Sequence, residues 1–203
     1  MRQRRDGNGA GARASLAAMS SNHEVEIKFR VADIEALAST LKSTGFRLLT
    51  PRTHEMNTVY DLPGDVLRGR GALLRLREYG DRWTLTYKDK GLAEGRHKSR
   101  PELETRLQNG QAMAQILESL GFRAKFKYEK FRTEWTDDDG HVVVDETPVG
   151  NFGEIEGSPD WIDKIAEKLG IPESQYIKAS YSELFREWKR QTRSDAEHML
   201  FPK

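Results

Sequence analysis

Short segments in which charged and apolar residues alternate constrain the fold of this chain more than any other feature of its sequence. In residues 24–30, every even position is charged and every odd position is apolar. Successive side chains of a β-strand point to opposite faces, so a strand here would have one apolar and one charged face. The alternation predicts a strand over residues 23–30 that carries two carboxylates and then an ammonium group on its polar face.

The same alternation recurs along the chain, and like charges come in pairs. Two arginines alternate with leucines at 74–77, a basic pair occurs at 130–132, and acidic pairs occur at 102–104 and 154–156. Charges two residues apart lie about 7 Å apart on one face of a strand. A surface that only keeps a protein soluble intersperses the two signs. The pairing therefore favours a ligand that carries both signs, such as a polyanion with bound divalent cations, over a plainly solvated sheet face.

The composition excludes several classes of protein. The 203 residues suffice for one domain with a substantial core. Charged residues make up 32% of the chain, yet the formal net charge is only +1, which argues against nucleic-acid binding through an overall basic surface. The absence of cysteine excludes disulfides and thiolate metal sites, and we expect a cytoplasmic protein. No apolar run is long enough to span a membrane.

Three regions are predicted from composition and pattern. Residues 1–20 are basic, then small and glycine-rich, so we expect a disordered N-terminal extension there. Residues 21–192 carry the alternating segments and form the predicted domain. Residues 193–203 form a predicted C-terminal tail, and residues 89–98 a predicted mobile basic loop.

Eight strands and four helices are predicted within the domain. Strands at 72–79 and 82–88 meet at Gly80 and Asp81, a two-residue hairpin signal. Most other strands are also joined by short turns, so the sheet should be antiparallel. The remaining strands are predicted at about 23–30, 53–61, 98–107, 124–136, 141–146 and 151–156. The helices are predicted between Asp33 and Gly45 and at about 110–120, 159–169 and 180–191.

The polar faces of these strands are too charged to pack together as an apolar core. If the strands close into a barrel, their apolar faces must point outward under the helices. Buried charges are costly unless they pair or bind something, and an eight-stranded barrel has room for side chains or one small ligand. We therefore predict an α+β fold: a closed antiparallel eight-stranded β-barrel with a charged interior, a charged ligand inside, and helices packed outside.

The last predicted helix carries an aromatic stripe. The stripe is predicted to be core packing, with the hypothesis that the helix caps one mouth of the tunnel. Its members are Tyr181, Leu184, Phe185 and Trp188.

The charged residues also follow an order that resembles a known family. Glu24-x-Glu26-x-Lys28 resembles the ExExK signature of the CYTH superfamily, also called the triphosphate tunnel metalloenzymes. That family includes class IV adenylyl cyclases, thiamine triphosphatases and inorganic tripolyphosphatases. Over roughly residues 22–190, the signature is followed in the family's order by Arg75 and Arg77, Lys88, Glu102 and Glu104, Lys130 and Arg132, Asp145, and Glu154 and Glu156. The resemblance implies a closed eight-stranded tunnel that binds a triphosphate and a divalent metal.

The resemblance and the chemistry of the side chains assign roles to these residues. Arginine and lysine suit phosphate oxygens, and carboxylates suit Mg²⁺ or Mn²⁺. The predicted triphosphate-binding residues are Lys28, Arg75, Arg77, Lys88, Lys130 and Arg132. The predicted metal ligands are Glu24, Glu26, Asp145, Glu154 and Glu156, and Lys28, Glu24 and Glu26 are predicted to be catalytic. Further candidates are Arg100, Glu102 and Glu104, although pairing with arginines explains the two glutamates as readily as metal contact.

The expected activity is metal-dependent hydrolysis of a triphosphate such as tripolyphosphate, ATP or thiamine triphosphate, because paired glutamates at Glu154 and Glu156 resemble those of the hydrolases. Two alternatives stay open. One is a class IV adenylyl cyclase, which converts ATP to cyclic AMP and pyrophosphate. The other is a non-catalytic polyphosphate-binding module. We expect neither a nucleic-acid nor a membrane partner, and pairing into a homodimer through outer surfaces is left open.

Overall fold

The computed structural model describes residues 22–90 and 96–202, with side chains from residue 25 onward. The predicted extension at 1–20 and the middle of the predicted loop at 89–98 lie outside the described residues. Within the described ranges, no helix is long and apolar enough to cross a membrane.

Eight strands and five α-helices make up the described part of the chain. The strands are β1 Asn22–Arg30, β2 Arg47–Asp61, β3 Leu73–Tyr79, β4 Arg82–Lys88, β5 Lys98–Leu107, β6 Arg123–Thr136, β7 His141–Thr147 and β8 Gly150–Glu156. The helices are α1 Ile34–Ser43, α2 Val66–Gly69, α3 Gly110–Ser119, α4 Pro159–Lys168 and α5 Tyr181–Thr192, with a short 3₁₀ turn at Glu173–Gln175. The eight predicted strands and four predicted helices are all present.

Two local features differ from the sequence prediction. Strand β2 begins at Arg47, six residues before the predicted start, and its pairing with β6 shifts register on both sides of Thr50. These shifts, next to Pro51, break the period of two on which the prediction relied. The four-residue helix α2 in the turn after β2 was not predicted, because four residues are too few to show helical periodicity.

The sheet closes completely, as predicted. The strand order is β1-β5-β4-β3-β2-β6-β7-β8, and every neighbouring pair is antiparallel. Strand β1 joins the two ends: Glu24 lies opposite Arg100 of β5, and Lys28 lies opposite Glu154 of β8. A closed barrel leaves no unpaired strand edge, so the interior is separated from the outer surface.

The faces of the strands are inverted relative to an ordinary barrel, again as predicted. Ile27 and Phe29 of β1 point outward and pack with Ile162 of α4 in the largest apolar cluster. Lys28, which alternates with them, points inward and is buried. Burying each outward apolar side chain contributes roughly 1.5–3 kcal/mol. The helices therefore supply a core outside the barrel, which leaves the inside for charged side chains.

Helix α5 and the C-terminal segment cover the part of β6 that the shorter β7 does not reach. Tyr181 and Phe185 of α5 cluster with Tyr128 of β6 and Phe152 of β8. Met199 forms a parallel bridge to Tyr128 and is fully buried. Part of the predicted tail thus packs on the barrel, and α5 brings its aromatic face to the barrel interior.

The close approach of Gly153 to Phe29 yields a stability prediction. The two residues are register partners, and a Cβ atom at position 153 would lie 2.2 Å from Phe29 Cζ. Because the Phe29 ring is buried, we expect Gly153→Ala to lower the free energy of unfolding by about 1–3 kcal/mol in urea titrations. Gly69→Ala is the control, since a Cβ there meets nothing within 4 Å. Equal stability of the two variants would contradict this packing.

Candidate functional site

A cavity of about 970 Å³ extends into the barrel. Among the residues that the structure describes, fourteen lysine and arginine side chains and seven carboxylates line it. This excess of positive charge within a low-dielectric wall attracts a multiply charged anion. The lining includes Arg100 and all the predicted triphosphate-binding residues: Lys28, Arg75, Arg77, Lys88, Lys130 and Arg132.

Three of the predicted metal ligands meet on one wall of this cavity. In the pairing of β1 with β8, Glu26 lies opposite Glu156, and the neighbouring inward position of β8 is Glu154. One carboxylate oxygen from each of the three lies within 4.8 Å of the others. This is an all-oxygen donor set of the kind that Mg²⁺ and Mn²⁺ prefer, and the residues present fit such an ion. Glu24 lies in the same strand, but its side chain is outside the described residues.

Asp145, also predicted to bind metal, lies outside this cluster and is fully buried. Its carboxylate accepts hydrogen bonds from Lys130 Nζ at 2.8 Å and from the Arg132 guanidinium at 2.8 and 2.7 Å. The Tyr181 hydroxyl donates a further bond to it at 2.6 Å. Through these contacts, Asp145 holds the side chains of Lys130 and Arg132 in place. A metal ligand role for Asp145 stays a prediction, because its carboxylate is not part of the cluster of Glu26, Glu154 and Glu156.

Tyr181 belongs to the site, although the sequence interpretation assigned it to the core. Besides its bond to Asp145, its ring faces two ammonium groups: Lys28 Nζ lies 4.6 Å and Lys130 Nζ 4.8 Å from the ring centroid. Cation–π attraction holds both lysines towards the ring. The pattern of the helix could not reveal this, since core packing and site contact share one face. The tyrosine hydroxyl, which needs a partner when buried, was the available signal.

The charge of Lys28 is maintained by the acidic wall. Burial alone would lower the pKa of its ammonium group, but Glu154, whose carboxylate lies 2.8 Å away, and Glu26 outweigh that effect and raise the pKa. Burial would likewise raise the pKa of Glu154, and Lys28 and Arg132 instead lower it well below its usual range. Both groups are therefore charged at neutral pH.

Contacts from β4 and β6 hold Arg75 of β3, another residue that lines the cavity. The Arg75 guanidinium donates to the Tyr128 hydroxyl at 3.4 Å and to the Thr86 hydroxyl at 3.3 Å. Its Nε, like that of Arg77, has no hydrogen-bond partner within the described residues. The Arg75 guanidinium thus keeps a donor that a ligand oxygen can use, whereas Arg77 Nε lies 3.5 Å from the buried carboxylate of Glu55.

The candidates on β5 contact basic residues rather than the acidic cluster. Glu102 lies 2.8 Å from Lys88 Nζ, and Glu104 lies 3.9 Å from Arg75. Arg100 donates to the backbone oxygen of Gly71 at 2.9 Å. These contacts fit the interpretation of the two glutamates as ion-pair partners.

Glu55 of β2 is a site residue that the sequence interpretation did not identify. It is fully buried, with Arg77 Nε and Lys130 Nζ each 3.5 Å and Arg132 Nε 3.9 Å from its carboxylate. Burial alone would raise its pKa, but these three cations lower the pKa far below the usual carboxyl range. Glu55 does alternate with Asn57, whose amide donates to it at 2.8 Å. As a lone carboxylate without a like-sign partner, it did not match the pattern of charged pairs.

The lowered pKa of Glu55 predicts acid sensitivity. As the pH decreases through the usual carboxyl pKa near 4.5, residue 55 takes up a proton in the unfolded chain but not yet in the folded chain. The free energy of unfolding therefore decreases as the pH decreases. We expect the excess unfolding free energy of the wild type over Glu55→Gln to shrink as the pH falls from about 6 to about 3. Urea titrations across that range measure it. An excess that does not change with pH would show that the carboxylate has no depressed pKa.

The sequence of this chain is similar to those of known proteins. Residues 22–181 match the family model of the CYTH domain. A protein of Methanocaldococcus jannaschii, named as a proposed adenylate cyclase, is 28% identical over 172 residues, which cover 79% of this chain and 97% of the relative.

Solved structures share the fold. A proposed adenylate cyclase from Vibrio parahaemolyticus has a TM-score of 0.72 at 21% identity, covering 82% of this chain and 99% of that one. A proposed adenylyl cyclase from Hippeastrum, described as having a dominant triphosphatase activity, has a TM-score of 0.62 at 20% identity, covering 81% and 95%. At these identities the likeness establishes the fold alone.

Proposed function

This chain belongs to the CYTH domain family, and on that premise we propose that it is a divalent-metal-dependent enzyme that hydrolyses inorganic or organic triphosphates. The observation that carries the proposal is the clustering of Glu26, Glu154 and Glu156 on one wall of a cavity otherwise rich in lysine and arginine. A triphosphate needs both surfaces: cations along its oxygens, and carboxylates to hold the metal that accompanies it.

The basic residues bind and orient the phosphate chain in this proposal. Arg75 and Arg77 offer guanidinium donors from β3, while Lys130 and Arg132 offer donors from β6. Contacts to Asp145 and other neighbours already hold these side chains in place. Such preorganisation lowers the cost of aligning a substrate and stabilises negative charge that develops in the transition state.

The acidic wall would hold Mg²⁺ or Mn²⁺ through Glu26, Glu154 and Glu156, with Glu24 as the predicted fourth carboxylate. When bound, such an ion neutralises phosphate oxygens and lowers the pKa of a coordinated water. Lys28 lies next to this wall and remains an ammonium, so it acts as a fixed positive charge and hydrogen-bond donor towards phosphate oxygens. With tripolyphosphate, water forms a bond to the terminal phosphorus, the adjacent bridging P–O bond breaks, and orthophosphate and pyrophosphate are released.

Hydrolysis is preferred over cyclisation on two grounds. Glu154 and Glu156 both line the cavity, as the resemblance to hydrolases requires. The Hippeastrum protein, which shares the fold, is described as having a dominant triphosphatase activity. The second candidate is an adenylyl cyclase, which the name of the 28% identical Methanocaldococcus relative favours. A polyphosphate-binding module is disfavoured, since binding alone does not need clustered carboxylates beside a polyanion.

Product analysis tests the proposal. Purified protein with Mg²⁺ or Mn²⁺ is given tripolyphosphate, ATP and thiamine triphosphate separately, and we expect release of orthophosphate. Glu26→Gln should lower turnover by about 100-fold or more, because it removes a charged ligand from the metal cluster. The matched control is Glu129→Gln, a carboxylate on the same barrel that pairs with His54 and does not line the cavity. Cyclic AMP and pyrophosphate from ATP would instead establish the cyclase, and binding without turnover the binding module.

The metal assignment has its own test. Glu156→Gln removes one negative charge from the cluster and keeps the size of the side chain. We expect the Mg²⁺ concentration for half-maximal turnover to rise by about 10–100-fold, with a smaller loss of turnover at saturating metal. A metal titration at fixed tripolyphosphate measures both quantities. An unchanged metal requirement would remove Glu156 from the ligand set.

A further inference from the structure

Because β2 lies between β3 and β6, an inward side chain of β2 can reach the predicted phosphate-binding residues on both strands. Arg77 lies on β3, and Lys130 and Arg132 lie on β6, while β2 is hydrogen-bonded to both strands. Glu55 occupies the inward face of β2, directly opposite Lys130 in register. A carboxylate here can reach cations on both neighbouring strands.

Glu55 acts on these cations through its charge. Its distances to their nitrogens are 3.5–3.9 Å, longer than the 2.7–2.8 Å bonds that Asp145 makes with Lys130 and Arg132. One of its oxygens, Oε2, has no hydrogen-bond partner within the described residues. Glu55 also lies outside the lining of the cavity, behind the side chains that line it. A ligand in the cavity would therefore meet the cations and not this carboxylate.

A buried carboxylate behind an anion-binding surface does not serve affinity. Its charge weakens the attraction between the cavity and a polyanion, and its burial carries a desolvation cost. It does, however, reduce the mutual repulsion of three neighbouring cations and hold them at fixed separations before a ligand arrives. Fixed, preorganised charges accelerate a reaction more than they tighten ground-state binding.

We propose that Glu55 is a positioning residue: it holds Arg77, Lys130 and Arg132 in the arrangement that the transition state of phosphate transfer requires, at the expense of ground-state affinity for the triphosphate. This inference rests on the proposed function, and it assigns to β2 a role that the charged pairs of the sequence did not indicate.

Glu55→Gln separates this role from a structural one. Glutamine keeps the shape of the side chain and an oxygen that can accept from Asn57, and it removes only the charge. We expect kcat with tripolyphosphate to fall by about 10–100-fold, the effect of small misplacements of catalytic groups. The Kd for tripolyphosphate, measured by calorimetry without metal, should stay unchanged or decrease. Glu129→Gln, on the outward face of β6, is the control and should change neither quantity.

Two outcomes would overturn the inference. A kcat equal to that of the wild type would show that the charge is not needed, and a higher Kd with unchanged kcat would show that Glu55 only supports binding. If Glu55→Gln does not fold, Glu55→Asp replaces it: the charge is kept but withdrawn by one methylene, so kcat should fall several-fold with Kd unchanged. Wild-type kcat in Glu55→Asp would then overturn the inference.

A spectroscopic measurement keeps this test independent of the proposed function. If the wild type hydrolyses no triphosphate, the proposed function fails. NMR spectra of the arginine Nε–H groups in ¹⁵N-labelled protein then test whether Glu55 holds Arg77 in place. We expect a dispersed, slowly exchanging Arg77 signal in the wild type that moves to the position of mobile surface arginines in Glu55→Gln. The Arg132 signal should move less, because Asp145 also holds that guanidinium. An unshifted Arg77 signal would overturn the inference.

Discussion

The pairing of charges inside a closed barrel is the interaction on which the rest of the structure depends. Interior cations lie beside interior carboxylates: Lys28 beside Glu154, Arg132 beside Asp145, and Lys130 between Asp145 and Glu55. Each of these charges would be prohibitive to bury alone, and each becomes tolerable next to its partner. The helices meet the complementary requirement, because they bury the apolar faces that point away from the barrel.

Positively and negatively charged side chains are nevertheless not evenly mixed within the barrel. The pairing of β1 with β8 gathers three carboxylates on one wall, whereas β3 and β6, on either side of β2, supply guanidiniums and ammonium groups. An acidic surface that favours cations and a basic surface that favours anions therefore face the same cavity. A polyanion accompanied by a divalent cation satisfies both surfaces at once, which explains why this architecture suits triphosphate chemistry. Asp145 and Glu55 stand behind the basic surface and hold it in place.

Much of the fold was predictable because strands have a period of two. The alternation in β1 and in β3 revealed which side chains share a face, and short turns revealed that neighbours along the chain are antiparallel. The prediction was incomplete where the period breaks, as beside Pro51 in β2. It assigned Tyr181 to core packing because the first residue of an amphipathic helix faces the core and the barrel interior alike.

The sequence by itself determined the alternation, the eight strands and the four longer helices, and the order of charged pairs that marks the family. Only the tertiary structure decided which of those charges meet. Strands β1 and β8, and β2 and β6, are neighbours in the barrel although they are far apart in the chain. Coulombic contacts act over a few ångströms in space regardless of separation in sequence. That is why the grouping of Glu26 with Glu154 and Glu156, the engagement of Asp145 by Lys130 and Arg132, and the central place of Glu55 emerge only when the barrel closes.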